Sequence, residues 1–132
     1  MFYLGAVYTS NFTPPTSALT AVANTSLLTL QTRQPVNNHT FVDHSGINNL
    51  ITRAGNASQG SFSPYSPAGW SNYFDGTGDQ LTANANTALD LTGDFTIEFW
   101  AYAIDTTTNY ISNGTQSGSG CWRFTMTSST GQ

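Results

Sequence analysis

The stretch that decides the fold starts with Tyr-Phe-Asp-Gly-Thr-Gly-Asp-Gln-Leu at residues 73–81. After a short polar connection it continues with Phe-Thr-Ile-Glu-Phe-Trp-Ala-Tyr at residues 95–102. Glycines in the first segment permit the positive φ angles of a tight turn, and Asp75-Gly76 is a strong hairpin signal. The first segment therefore predicts a strand, a tight turn and a return strand.

The second segment predicts a longer strand, over residues 94–103. Side chains alternate between the two faces of a strand, so one face carries Phe95, Ile97 and Phe99. The opposite face carries Glu98, Trp100 and Tyr102. We expect this strand to lie centrally, with its phenylalanine side covered by the core and its other side offered to a partner.

Further short segments of strand-forming residues are separated by turn residues along the whole chain. We predict strands over 2–8, 27–32, 50–53, 72–75, 79–83, 109–112 and 121–127, with one helical turn near 87–91. No window shows the sustained 3.6-residue period of an amphipathic helix. Short strands at this spacing favour an all-β sandwich or jelly roll.

These motifs also carry a family resemblance. Together with residues 26–30, 41–46 and 51–56, the two segments resemble the concanavalin-A-like, laminin-G-like jelly rolls in structural proteins of tailed bacteriophages. The resemblance covers about residues 26–132 and implies a two-sheet antiparallel sandwich. It also implies an incomplete domain, because the strands that follow the "FTIEFW" strand in such domains are not in this sequence.

The same resemblance suggests three segments. Residues 1–13 resemble the closing strand of a preceding repeat, or a strand donated to another copy. Residues 14–25 form a linker in which Pro14-Pro15 cannot continue a central strand. Residues 26–132 then form the front part of the laminin-G-like sandwich.

Composition excludes some partners. The 132 residues include three arginines, no lysine and seven acidic residues, which gives a net charge of −4. Nucleic acid and anionic membranes are therefore not expected partners, because both require a basic surface. No segment has the length of a membrane span. The single cysteine, Cys121, excludes an intrachain disulfide and is expected to be a small buried apolar residue.

Asp75 and Asp79 are candidate calcium ligands, since laminin-G-like domains often bind calcium. Their spacing does not match the twelve-residue calcium loop, and turn formation is the competing interpretation. His39 and His44 make a weak metal signal, and surface positions are the default for both.

Glu98, Trp100 and Tyr102 are candidate ligand-binding residues for a glycan, because aromatic rings stack on the apolar faces of sugars. Packing against a neighbouring loop or domain is the alternative for the two aromatic residues. Glycosidases need two carboxylates. The positions two residues before and after Glu98, which share its predicted strand face, hold threonine (96) and tryptophan (100) instead of a second carboxylate. We therefore expect a protein that is not an enzyme, with a glycoside hydrolase as the least favoured reading.

Five Asn-x-Ser/Thr sequons are candidate glycosylation sites and predict surface loops: Asn11, Asn24, Asn38, Asn56 and Asn113. In a bacterial virus we expect them to carry no glycan.

The resemblance implies a structural or adhesive module of a phage fibre, appendage or surface decoration, on the virion surface or outside the cell. Its expected partners are further copies, other virion proteins and cell-surface glycans. The alternative is a subunit of a self-assembling extracellular filament, or a bacterial adhesin, that uses strand addition at exposed edges.

Overall fold

The computed structural model describes residues 1–29, 37–63, 65, 70–104, 107–114 and 122–127. Within these residues the chain is built from short strands, and its one helical element is the 3-10 helix Thr87–Leu89. The strands are β1 (Phe2–Leu4), β2 (Thr25–Leu27), β3 (Ile51–Ala54), β4 (Ser58–Gly60), β5 (Ser71–Tyr73), β6 (Gln80–Ala83), β7 (Phe95–Ile97), β8 (Thr107–Asn113) and β9 (Trp122–Thr127). The all-β prediction is confirmed, as is the helical turn.

The chain forms two compact units, Met1–Phe99 and Trp100–Gln132. In the first unit, β1 is the middle strand of a three-stranded antiparallel sheet with the order β2-β1-β7. Phe2 faces Leu27 on one side and Ile97 on the other. The segment expected to belong to a preceding repeat is thus paired here with two later strands, β2 at the end of the predicted linker and β7 beyond it. Its origin in a tandem array stays a prediction about a longer protein.

The position of β7 corrects the sequence analysis. This strand has three residues and lies at an edge of the sheet formed by the described residues, so the prediction of a long central strand over 94–103 is wrong. The expected covered side is also wrong, because Phe95 is 48% exposed and Phe99 is 36% exposed. Strand pairing with β1 ends at Ile97, so the side chains that follow are not held in strict alternation by a sheet in the described part of the chain.

The segment at residues 73–81 does not close a hairpin, which is a second correction. β5 pairs with β4, while β6 pairs with β3. Residues 51–60 and 71–83 thus form one antiparallel ribbon with an interruption in its middle. At the interruption, residues 74–79 on one side face residues 55–57 on the other. The acidic glycine turn is therefore an excursion at the corner of a ribbon.

The interior of the first unit is small and mostly polar. Among the described residues, the buried apolar side chains are Leu28, Phe41 and Ala57. The buried polar residues are Thr25, Ser26, Asp43, Ser45, Asn49 and Gln59. Hydrogen bonds must organise such an interior, because a buried polar group without a partner is costly.

The second unit contains the antiparallel pair β8–β9. Thr107 faces Thr127 at one end and Asn113 faces Trp122 at the other, with a register shift between Asn109 and Ile111. Gly114, which follows β8, has a φ of 78° and can therefore start a turn. The predicted strands at 109–112 and 121–127 correspond to this pair; Cys121 itself lies outside the described residues.

Candidate functional site

The carboxylate of Glu98 lies where the start of the chain crosses the end of β7. The Tyr8 hydroxyl donates a 2.6 Å hydrogen bond to Oε1 of Glu98. Oε2 of Glu98 is buried and has no hydrogen-bond partner in the described part of the chain. The Glu98 amide also donates to the carbonyl oxygen of Met1, at 3.0 Å, which extends the ladder between β1 and the residue after β7.

Thr96 brings Tyr8 to this position. Its hydroxyl donates to the carbonyl of Gly5 and accepts from the amide of Val7, both at 3.1 Å. Gly5 has a φ of 132°, a conformation that favours glycine, and a Cβ there would come within 2.8 Å of the Tyr3 ring. The chain therefore turns at Gly5 and follows the Thr96 side of β7 toward Glu98.

Tyr8 is fixed from a second direction by Phe12. Their rings stack with centroids 3.7 Å apart and an angle of 10° between the planes. The hydrogen bond to the Glu98 carboxylate raises the pKa of Tyr8, with burial and the negative charge of Glu98 acting in the same direction. We call Tyr8, Phe12, Thr96 and Glu98 the clasp, because they hold the start of the chain against β7.

The structure places the candidate glycan-binding residues in different units. Glu98 belongs to the first unit, whereas Trp100 and Tyr102 belong to the second. Within the second unit Trp100 is 57% exposed and Tyr102 is 75% exposed. The shared strand face predicted for the three residues is not formed, because β7 ends before Glu98. Their role in glycan binding stays a prediction.

Asp75 and Asp79 are brought together at the corner of the ribbon. Asp75 accepts hydrogen bonds from the Thr77 amide at 2.7 Å and from the Asn56 side chain at 3.1 Å. Asp79 accepts from the Asn56 amide at 2.6 Å and from the Asp75 amide at 2.9 Å. All four carboxylate oxygens therefore have an N–H donor.

These donors explain why the pKa of Asp75 is lowered. The Thr77 amide and then the Asn56 side chain lower the pKa of Asp75, more than burial raises it. Among the described residues, no group of three or more His, Cys, Asp or Glu side chains is placed to hold a metal ion. The calcium role of Asp75 and Asp79 stays a prediction, and their observed role is to tie the corner together.

A carboxylate that the sequence analysis did not select organises the interior. Oδ1 of Asp43 accepts from the amides of Leu28 and Ser45, at 2.9 and 2.8 Å. Oδ2 accepts from the Ser45 hydroxyl at 2.7 Å, and from the amide and side chain of Asn49, both at 2.8 Å. The Asn49 side chain also donates to the Ser26 carbonyl, at 2.8 Å, which connects this network to β2.

The burial and donors of Asp43 have opposite effects on its acidity. Burial raises the pKa of Asp43, but the bonds from Leu28, Ser45 and Asn49 together outweigh it and hold the pKa below its ordinary value. The sequence signal was the Asp-x-Ser spacing with an asparagine six residues after the aspartate. This spacing favours a turn, but it does not show that the turn is buried against β2.

The remaining candidates lie on the surface. Both His39 and His44 are exposed, and the His39 ring is 3.4 Å from a guanidinium nitrogen of Arg53. All five sequon asparagines are exposed. The side chain of Asn56 is already committed to Asp75.

The fold thus defines an all-β chain of small antiparallel sheets with a hydrogen-bonded interior. Comparison of the chain with protein-family models, with curated proteins and with solved structures finds no match. In the described ranges, no helix combines the length and apolar character needed to cross a membrane.

Proposed function

We propose that this chain is a non-enzymatic structural and adhesive module of a tailed-phage virion, in a fibre, an appendage or a surface decoration. The resemblance of its motifs to laminin-G-like phage domains supports this proposal, and so does the all-β architecture. A surface rich in hydroxyl and amide groups and poor in charge suits an extracellular location.

The distribution of apolar side chains carries the proposal. Three apolar residues are buried among the described residues, whereas fourteen large ones are exposed. Isolated exposed apolar residues are normal, whereas extended apolar surface is typical of sites that contact other macromolecules. A module that packs against further protein in an assembly accounts for this excess.

The clasp supports a structural role for Glu98. Its Oε1 accepts from Tyr8, and its backbone pairs with Met1, so the residue is used to hold the start of the chain in place. A general acid or nucleophile would need a second carboxylate across a scissile bond. The contacts of Glu98 favour a module without hydrolytic activity.

The adhesive part of the proposal rests on Trp100 and Tyr102. Aromatic rings with exposed surface bind sugars by stacking, and many weak sites in one particle give useful avidity. We expect weak binding by one copy and measurable binding by a multivalent display of the chain.

A glycan array probed with the chain displayed on a multivalent carrier tests the adhesive part. Trp100→Ala and Tyr102→Ala should each reduce the signal on any bound glycan. The matched control is Ile104→Ala, which removes an apolar side chain that is 78% exposed in the same unit. Absence of binding by the wild-type display would leave only the scaffolding role.

Scaffolding has its own test. Antibodies raised against the chain should label particles in virus preparations from the source culture, and mass spectrometry of the purified particles should detect its peptides. Detection only in the cell-free medium or on bacterial surfaces would instead favour the filament subunit or adhesin. The position of β1 between two strands is the observation that favours that second candidate.

A further inference from the structure

The first strand lies between two others, in a position that the same strand of another copy could occupy. β1 is three residues long, yet it separates β2 from β7 and pairs with both. At the end of the strand, the Leu4 amide donates to the backbone carbonyl of Asn24 at 3.2 Å, and the following Gly5 amide donates to the backbone carbonyl of Asp94 at 2.7 Å. Removing β1 would therefore leave two strands with unpaired inner edges, which can accept an equivalent strand.

The segment that follows Tyr8 is suited to act as a hinge. Residues 9–24 are exposed apart from two half-buried positions, and the segment includes Pro14-Pro15. Among the described residues, no hydrogen bond joins residues 9–21 to a strand; the first bonds of this segment are at Val22 and Asn24. A segment of this length reaches roughly 50 Å when extended.

Contacts with β7 define which segment fits the slot, the space between β2 and β7 that β1 occupies. Thr96 accepts from Val7 and donates to Gly5, and Glu98 accepts from Tyr8. These contacts lie next to the backbone pairing and fix both the register and the direction of the inserted segment. The bonds of Thr96 are to backbone atoms, so the positive φ of Gly5 and the hydroxyl of Tyr8 select the occupant, and a second copy of this chain supplies both.

We propose that residues 1–8 exchange between copies, so that β1 and the clasp tyrosine of one copy occupy the slot between β2 and β7 of another. The closed and exchanged forms contain the same contacts, so they differ in energy mainly through the hinge and the entropy of association. A tethered strand competes at an effective concentration in the millimolar range. Exchange is therefore expected where copies are crowded, as in a fibre or a surface lattice.

This inference deepens the structural part of the proposed function and rests on it only for its biological purpose. Its test measures the exchange directly. A chain that is not detected in virions, or that binds no glycan, can therefore still show exchange. Conversely, a chain without exchange can still be a virion module.

The experiment uses single cysteine variants of the full chain, with Cys121→Ser in each. One carries Leu4→Cys and the other Phe95→Cys, because these residues face each other across β1 and β7. The two proteins are mixed in urea, refolded together at about 10 µM or at about 1 mM, and oxidised after dilution. A Leu4 position inserted beside the Phe95 position of another copy gives a disulfide-linked heterodimer above the background of random crosslinking.

Two controls complete the design. A single chain with both substitutions should form an intrachain disulfide at low concentration, which shows that the two positions can be bridged. A mixture of Thr52→Cys and Thr82→Cys reports random crosslinking, since these exposed residues face each other across β3 and β6.

We expect the Leu4/Phe95 heterodimer to increase on the order of tenfold between the two refolding concentrations, as they approach the effective concentration of the tether. The Thr52/Thr82 mixture should stay at its low background. Heterodimer at or below that background, with the intrachain disulfide intact, overturns the proposal. Failure of the intrachain disulfide overturns it as well, because the slot would then not hold β1.

Discussion

The hydroxyl of Tyr8 and Oε1 of Glu98 lie 2.6 Å apart, although the two residues are separated by 90 positions in the sequence. This bond joins the segment that leaves β1 to the residue that follows β7. The stack of Phe12 on Tyr8 and the bonds of Thr96 hold the same crossing. The clasp therefore adds side-chain contacts to the backbone pairing that holds the start of the chain against β7.

Loss of the Tyr8 hydroxyl should loosen this crossing. Tyr8→Phe keeps the stack on Phe12 but leaves Oε1 of Glu98 without its donor, while Oε2 already has no described partner. We expect a lower melting temperature and faster proteolysis within residues 9–24. The matched control is Tyr73→Phe, an exposed tyrosine distant from the clasp in sequence. Equal stability of the two variants would show that the bond contributes nothing.

Alkaline pH should weaken the clasp for the same reason. The pKa of Tyr8 is raised by its bond to Glu98, so the folded state prefers the protonated phenol. The resulting stability is complete below the ordinary tyrosine pKa of about 10 and is lost as the pH rises through the higher folded value.

The difference between the ultraviolet titration curves of the wild type and of Tyr8→Phe reports the ionisation of the Tyr8 hydroxyl. We expect Glu98→Gln to lower its pKa, since the variant removes the charge and keeps a carbonyl acceptor. An unchanged titration curve in Glu98→Gln would contradict the assignment of the shift to Glu98.

The class of fold could be predicted from the sequence, and most strands could be located. Period-2 alternation and turn residues act over a few positions, so they placed β3, β5 and β6 within two residues. The pairing of those strands could not be predicted. Asp75-Gly76 indicated a hairpin, but Asp75 and Asp79 are hydrogen-bonded to Asn56, about twenty residues earlier.

The candidate site shows the same limit. Glu98 was selected as the single glutamate on an aromatic face, and the structure does give it a specific partner. That partner, Tyr8, lies in a segment expected to belong to another domain or another copy. Asp43 lies in an Asp-x-Ser sequence that favours a turn, and such local spacing carries no information about burial. Long-range contacts, which a single sequence does not encode locally, decide both cases.

Substitution of Asp43 should have the largest effect of any single change in the first unit. Asp43→Ala leaves the donors of Leu28, Ser45 and Asn49 without their acceptor in a buried site. We expect a loss of at least about 3 kcal/mol in the free energy of unfolding, measured by urea denaturation. Asp43→Asn keeps one acceptor oxygen and should lose less. Asp90→Asn, an exposed aspartate, is the control and should stay within about 0.5 kcal/mol.

Acid should reproduce part of this loss. The pKa of Asp43 is lower in the folded protein than in the unfolded chain, so its stabilisation is present above the ordinary aspartate pKa of about 3.9. It is lost as the pH falls through the lower folded value. The urea concentration at the unfolding midpoint should therefore decrease when the pH is lowered below about 4. This decrease should be smaller in Asp43→Asn. The same pH slope in both proteins would assign the acid sensitivity to other carboxylates.

Gly55 should tolerate no side chain. Its φ is 67°, and a Cβ would overlap the Asp79 carboxylate and approach the Gly78 carbonyl oxygen to 2.8 Å. Gly55→Ala should therefore cost more than about 2 kcal/mol, from backbone strain together with the displaced Asp79. Gly46→Ala is the control, because a Cβ there meets nothing within 4 Å. A neutral Gly55→Ala would show that the corner can shift freely.

The last prediction separates the two roles of Asp79. As a structural acceptor for the Asn56 and Asp75 amides, it should stabilise the corner without any metal. Asp79→Ala should then lower the melting temperature by the same amount in a chelator as in millimolar calcium. As a calcium ligand, it should instead give wild-type protein a melting temperature that rises with calcium, and Asp79→Ala should abolish that rise. We expect the first result, because every carboxylate oxygen of Asp75 and Asp79 already has an N–H donor and calcium requires six to eight oxygen ligands.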